Sequence, residues 1–295
     1  MKLSRRPAAL AALLAYTGPF TTLIHPPIGR RALAYTGPFT VDVVADGGRL
    51  TMAEADAAAA ELLALIPTMS KGAPATNATI APSLAAQIEE ATAALEARFG
   101  AHDLAVATNL NGSWRLLYSN GREITSLAAG LPGGFALGPT YQPLDSSTGR
   151  FENQGSVLGP FAKLSTTVIG DVRVAPAGSA NNRVDVEFRR IVFSLDELFG
   201  RPVRLRKVLK TALQPGVEPP ANDQTFLSAN VRVVRGGDGA LFIFRREESS
   251  RPLLSVAERE ALYRDGGAVD VTTGTGRPED SAPPELKFLL RDPKL

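Results

Sequence analysis

Residues 111–119 read Asn111-Gly112-Ser113-Trp114-Arg115-Leu116-Leu117-Tyr118-Ser119 and hold the one tryptophan of a 295-residue chain. Upstream the sequence is rich in alanine. Downstream it changes to period-two alternation, the spacing of strands. Within the stretch, Trp114, Leu116 and Tyr118 fall on one face of a strand. Gly112 allows close backbone approach at its head, and an indole is large and apolar enough to plug one end of a small barrel. A plain core tryptophan would leave the same trace, so the rest of the chain decides.

Residues 140–144 and 150–158 are strand candidates joined through Asp145-Ser146-Ser147-Thr148-Gly149, a turn composition. Residues 162–174 make a longer one. Residues 183–195 alternate most clearly, with Val184, Val186 and Phe188 against Arg183, Asp185, Glu187 and Arg189. After Arg190 the phase flips to Ile191, Phe193 and Leu195, which predicts a bulge. Leu227, Ala229, Val231 and Val233 alternate against Ser228, Asn230 and Arg232. Residues 235–239 form a glycine-rich hairpin loop, and residues 241–245 return. Residues 112–246 thus predict a mainly β fold, an antiparallel barrel of about eight strands.

Two α-helices precede it. Residues 51–66 are alanine-rich, open on Thr51 with Glu54 three residues later, and stop at Pro67. Residues 82–99 place Leu84, Ile88, Ala91, Leu95 and Phe99 on one face, before Gly100. The expected organisation is a targeting segment over 1–41, a helical region over 42–106 packing on the barrel, the barrel over 107–246, and a partly disordered extension over 247–295. In that extension residues 255–264 suit a short helix, and 285–290 carry Leu286, Phe288, Leu289 and Leu290.

Composition removes several function classes. With no cysteine, disulfide scaffolds, thiol catalysis and cysteine-held metal centres are excluded, and two histidines, His25 and His102, cannot build a histidine-rich metal site. The net charge of +2 hides an asymmetry: residues 1–41 carry Lys2, Arg5, Arg6, Arg30 and Arg31 and no acid, so the remainder is −3. A basic nucleic-acid surface is therefore not expected. The acid-free start reads as a targeting leader, of the organelle transit or secretory type, or as an ordinary disordered terminus. It contains the octapeptide Leu-Ala-Tyr-Thr-Gly-Pro-Phe-Thr twice, at 14–21 and 33–40. No apolar run is long enough to span a bilayer as a helix.

The inward-facing barrel candidates are Trp114, Tyr118, Tyr141, Phe151, Phe188, Val231 and Phe242. Asn153 and Arg232 are the polar residues to follow. Arg232 either packs inward on an aromatic face or points out into a salt bridge. Leu131, Phe135 and Leu137, in the glycine-rich stretch 130–138, suit a lid, an apolar finger entering lipid, or a plain connection. Arg201, Arg204, Arg206, Lys207 and Lys210 form a basic cluster that would attract an anionic membrane surface or line a solvated loop. No nucleophile with a base, no phosphate loop and no metal or cofactor set is present, so no catalytic residues are expected.

At this point the motifs resemble one family, the plastid lipid-associated proteins or fibrillins (plastoglobulins). Residues 109–118 resemble that family's opening motif, and 225–244 its closing hairpin, with Asp223 upstream. Tyr141-Gln142, Asp145 and Phe151-x-Asn153 resemble its central segment. The resemblance covers about residues 45–246. It implies a lipocalin-like barrel, a plastid transit peptide, and association with plastoglobules or thylakoid membranes. Neutral lipids, carotenoids or prenylquinones would be its ligands. A second reading is a soluble carrier or scaffold that delivers an isoprenoid quinone precursor to a biosynthetic enzyme. A third is an enzyme acting on lipid inside the barrel.

Overall fold

The computed structural model describes residues 43–45, 48–50, 52–99, 102–175, 181–211, 220–247, 251–265 and 267–270. The leader over 1–41 with its repeated octapeptide, the Thr51 cap, Gly100 and the apolar run at 285–290 lie outside these residues. Two short strands, β1 (Val43–Ala45) and β2 (Gly48–Leu50), form a separate antiparallel ribbon. Helix α1 (Met52–Leu65) buries Ala55, Ala59 and Leu62, and α2 (Pro82–Phe99) buries Ala85, Ile88, Thr92, Leu95 and Phe99. Both stripes follow helical periodicity, as the sequence predicts.

The remaining elements are β3 (Ala75–Thr76), β4 (Trp114–Ser119), α3 (Arg122–Ala128), β5 (Ala136–Tyr141), β6 (Leu144–Asp145), β7 (Arg150–Leu158) and β8 (Ala162–Val174), then β9 (Arg183–Leu198), β10 (Arg201–Lys210), β11 (Ala221–Leu227), β12 (Val231–Gly236), β13 (Leu241–Arg246), α4 (Val256–Asp265) and β14 (Gly267–Asp270). Eight of them close a barrel in the order β4, β5, β7, β8, β9, β11, β12, β13 and back to β4. Every pairing round that ring is antiparallel. The seam is short. Only residues 183–185 of β9 meet β11, where Arg183 donates two hydrogen bonds to the Asp223 carboxylate, each 2.8 Å. Beyond Arg189, β9 leaves the ring and pairs with β10 instead. The barrel is therefore sealed at one end and splayed at the other.

The expected bulge in β9 is present. Gly170 pairs with Phe188 and Ile169 with Arg190, so Arg189 is the extra residue. It returns Ile191, Phe193 and Leu195 to the face already used by Val184, Val186 and Phe188.

Two outer layers cover the wall. Helices α1 and α2 lie over β4 and β11–β13, burying Tyr118, Phe226, Val231, Val233, Leu241 and Ile243 against Ile88, Leu95 and Phe99. Each such large side chain contributes about 2 kcal/mol of burial. Polar ties set the angle of docking: Glu96 takes a bidentate contact from Arg235 at 2.9 and 3.0 Å, and Asp56 accepts from Asn230 N at 3.1 Å. On the opposite wall, residues 251–265 run as a strap over β7–β10. Leu254 N donates to Glu152 at 3.0 Å, Arg259 donates to Gly170 O at 2.7 Å, and Leu262 packs on Ile169, Val192 and Val208.

Three local expectations change. Residues 227–233 are not one strand: β11 ends at Leu227, Ser228–Asn230 turn, and β12 starts at Val231. The basic cluster is strand β10, not a loop. Residues 130–138 already enter β5 at Ala136.

Candidate functional site

The sealed end is lined by buried apolar side chains. Trp114, Leu116, Leu144, Phe151, Val172, Val184, Val186, Leu227, Val234 and Phe244 form one buried cluster, plugged from below by Leu104, Ala107 and Leu110. Trp114 is fully buried and its indole N–H donates to Leu110 O at 2.8 Å. Phe188 tilts onto Phe151 with centroids 6.4 Å apart. A Cβ on Gly170 would lie 3.2 to 3.4 Å from the Glu187 carbonyl, Phe151 and Val186, so the wall is tight at that point.

Two arginines flank the tryptophan. Arg246 stands 4.2 Å from its ring centroid and donates to the backbone oxygens of Ala229, Asn111 and Asn109. Arg232 points inward, as one of its two sequence readings had it. Its exposure is 1 %. The guanidinium lies 5.1 Å from the Phe244 ring and 6.0 Å from Trp114, and Nε donates to Gln224 Oε1 at 2.8 Å. Nη1 has no partner among the described residues. Burial pushes the Arg232 pKa down to about 9, and the charge on Arg246 adds to the effect.

The splayed half is different. Register places Asn153, Gly155 and Val157 of β7, Thr166 and Val168 of β8, and Ile191, Phe193 and Leu195 of β9 on the inner face. Asn153, Thr166, Val168, Ile191, Phe193 and Leu195 are only half-buried. A Cβ on Gly155 would meet nothing within 4 Å except Thr140 Oγ1, at 3.9 Å. Gln142 Nε2 donates to Asn153 Oδ1 at 2.9 Å, whereas Gln142 Oε1 and Thr140 Oγ1 are buried without partners among the described residues. The inner wall here is an apolar cup with a few polar atoms, the general make-up of a small-molecule site.

The candidates thus separate. Trp114, Phe151, Phe188, Phe242, Asn153 and Arg232 share the inner face. Tyr118 does not. In β4, Ile243 pairs with Tyr118 but Phe244 with Leu116, so Leu117 is bulged and every later side chain changes face. Tyr118 packs under the helices and its hydroxyl donates to Glu89 at 2.9 Å. That burial, reinforced by the Glu89 carboxylate, holds the phenol protonated well above the usual range. Val231 also faces the helices. Tyr141 pairs with Arg115, whose side chain reaches Gly72 O and Glu247, so it lies on the outer face.

The surface candidates change as well. Phe135 and Leu137 are buried, and Leu131 packs against the cluster of Phe135, Val157 and Leu164. They line the rim and do not project from it. Lys207 pairs with Phe193 and is buried on the inner face, whereas Arg206 pairs with Ser194 and is exposed. A strand alternates its side chains, so Arg206 and Lys207 cannot share one patch. Of Arg204 only the backbone is described.

Sequence reading missed the most exposed apolar feature among the described residues. Phe161 and Phe199 stack with centroids 5.9 Å apart, and Phe161 meets buried Phe135 edge-on at 5.3 Å. Phe199 is 76 % exposed and Phe161 43 %. Phe199 and Gly200 are the two-residue turn between β9 and β10, with φ of 49° and 75°. Glycine or asparagine suits such a position, and phenylalanine is strained there. The signal available in the sequence was the Phe199-Gly200 pair after a long alternating run.

Compared with known proteins, residues 57–245 match the family model described as PAP_fibrillin. Neither a search of curated proteins nor one of solved structures returns a match. No described helix is long and apolar enough to cross a membrane.

Proposed function

We infer that this chain, which belongs to the PAP_fibrillin family of plastid lipid-associated proteins, is a non-catalytic protein of the plastoglobule or thylakoid surface. In this reading it binds or organises neutral lipids, carotenoids or prenylquinones there. The observation that carries it is the Phe161–Phe199 stack. An exposed aromatic pair at the rim, one member of it held in a strained turn, keeps apolar surface in water and stores strain in the folded state. Sites of this kind are where strain serves function. Inserted into lipid, a phenylalanine recovers about 2 kcal/mol. The same rim opens onto the half-buried inner wall, so an apolar molecule could pass from the lipid into the cup without crossing water.

The experiment is flotation of the full chain with droplets of triacylglycerol coated by phospholipid. The wild type is expected to float. Phe161→Ser with Phe199→Ser is expected to remain in the aqueous phase with an unchanged circular dichroism spectrum. A soluble wild type that instead retains quinone at a stoichiometric level through purification would favour the carrier reading. A doubly substituted chain that floats as well as the wild type would remove the rim from the mechanism.

A further inference from the structure

We propose that the barrel interior binds one apolar chain by an acceptor oxygen, a carboxylate or a carbonyl, taken by Arg232 Nη1. The proposal rests on the lipid reading above and deepens it. Buried guanidinium groups are normally paired and fully hydrogen-bonded, because leaving a buried donor unsatisfied is costly. Arg232 is buried to 1 % exposure and makes one hydrogen bond, to neutral Gln224. Among the described residues it makes no ion pair, and the like charge of Arg246 acts against its own. The pair thus gives the interior a positive floor. Arg246 directs its donors to backbone oxygens that seal the barrel end. Arg232 keeps Nη1 unused.

Room and lining agree. One register row runs from Arg232 through Phe244 to Leu116, and β5 and β7 continue the wall with Thr140 opposite Gly155. At Gly155 the inner face is left open where any larger side chain would fill it. Beyond Gly155 the wall is Thr166, Val168, Ile191 and Phe193, half-buried and mostly apolar, with the buried Lys207 opposite Phe193 on β10. An alkyl chain entering from the rim would lie along this wall, with its polar end at the arginine. Trp114 lies 6.0 Å from that guanidinium, so it reports occupancy.

The test titrates the full chain with oleate, methyl oleate and octadecene, following Trp114 emission and stoichiometry by equilibrium dialysis. Oleate is expected to bind one to one and to shift the emission. Methyl oleate binding with similar affinity would identify a neutral carbonyl as sufficient, and its failure would identify the carboxylate. Octadecene is expected to bind at least about 10-fold more weakly. Arg232→Met is expected to weaken oleate about 10- to 100-fold and to leave droplet flotation intact. Gly155→Leu, which fills the open wall and leaves the arginine untouched, is expected to abolish binding. The Phe161→Ser and Phe199→Ser chain is expected to bind oleate while failing to float, which separates this site from the surface reading. Wild type that takes up no oleate overturns the proposal. Arg232→Met or Gly155→Leu binding oleate like the wild type overturns it equally.

Discussion

Arg246 lays its guanidinium 4.2 Å from the centre of the Trp114 ring, and the two side chains close the sealed end of the barrel together. The same arginine donates to three backbone oxygens, of Asn109, Asn111 and Ala229, that belong to segments entering the barrel from two directions. Its replacement leaves those acceptors unsatisfied and removes the lid from the indole. Arg246→Ala is expected to cost at least about 2 kcal/mol, or about 6 °C in thermal melting. Trp114 emission should move to longer wavelength as water reaches the ring. An unchanged melting temperature would show that the seal does not depend on this contact.

Phe199 supplies a test in which stability and lipid contact move oppositely. Its φ of 49° favours asparagine. Phe199→Asn is expected to raise stability by about 1 kcal/mol while lowering droplet affinity about 10-fold. Thermal melting and flotation of the same sample check both halves. A substitution that stabilises the chain without loss of flotation would count against the rim as the lipid contact.

Tyr118 tests the change of face. Its hydroxyl reaches Glu89 on α2, outside the barrel. Tyr118→Phe is therefore expected to cost about 1 kcal/mol and to leave oleate titrations unaltered. A changed ligand affinity would place the phenol in the cup after all.

Asp145 makes stability pH-dependent in a defined window. It is partly buried, which opposes ionisation, but hydrogen bonds from Ser147, Thr148 and Arg150 prevail and hold its pKa down to about 2. A carboxylate with a depressed folded pKa adds stability that is complete above its unfolded value of about 3.9 and is lost as pH falls towards 2. The melting difference between wild type and Asp145→Asn is expected to be about 3 °C at pH 7 and to shrink below pH 4. A difference that stays constant from pH 7 to pH 2.5 would remove Asp145 from the acid response.

The strap offers a fourth contact to break. Arg259 is nearly buried and donates to Gly170 O and Asp171 from α4. Arg259→Ala is expected to increase amide exchange across 251–265 by at least about 10-fold. Exchange in β4 and β11–β13, under the other helical layer, should stay at its wild-type rate.

Local chemistry by itself determined much of this protein. Alternation placed β7 and β8, alanine and spacing placed α1 and α2, and the phase flip after Arg190 announced the β9 bulge, because each of these depends on a handful of neighbouring residues. Only the tertiary structure decided which face those residues meet. The bulge at Leu117 reverses Tyr118 with no break in the apolar pattern, since both faces of β4 are buried, one by the barrel and one by the helices. The same two-sided burial hid the turn at 228–230. Arg232 could be read inward or outward until its strand partner Phe244 fixed it inside the barrel, 5.1 Å from the Phe244 ring and 6.0 Å from Trp114. The Phe161–Phe199 stack joins two hairpin connections almost 40 positions apart, and a contact at that separation leaves no periodic trace in sequence.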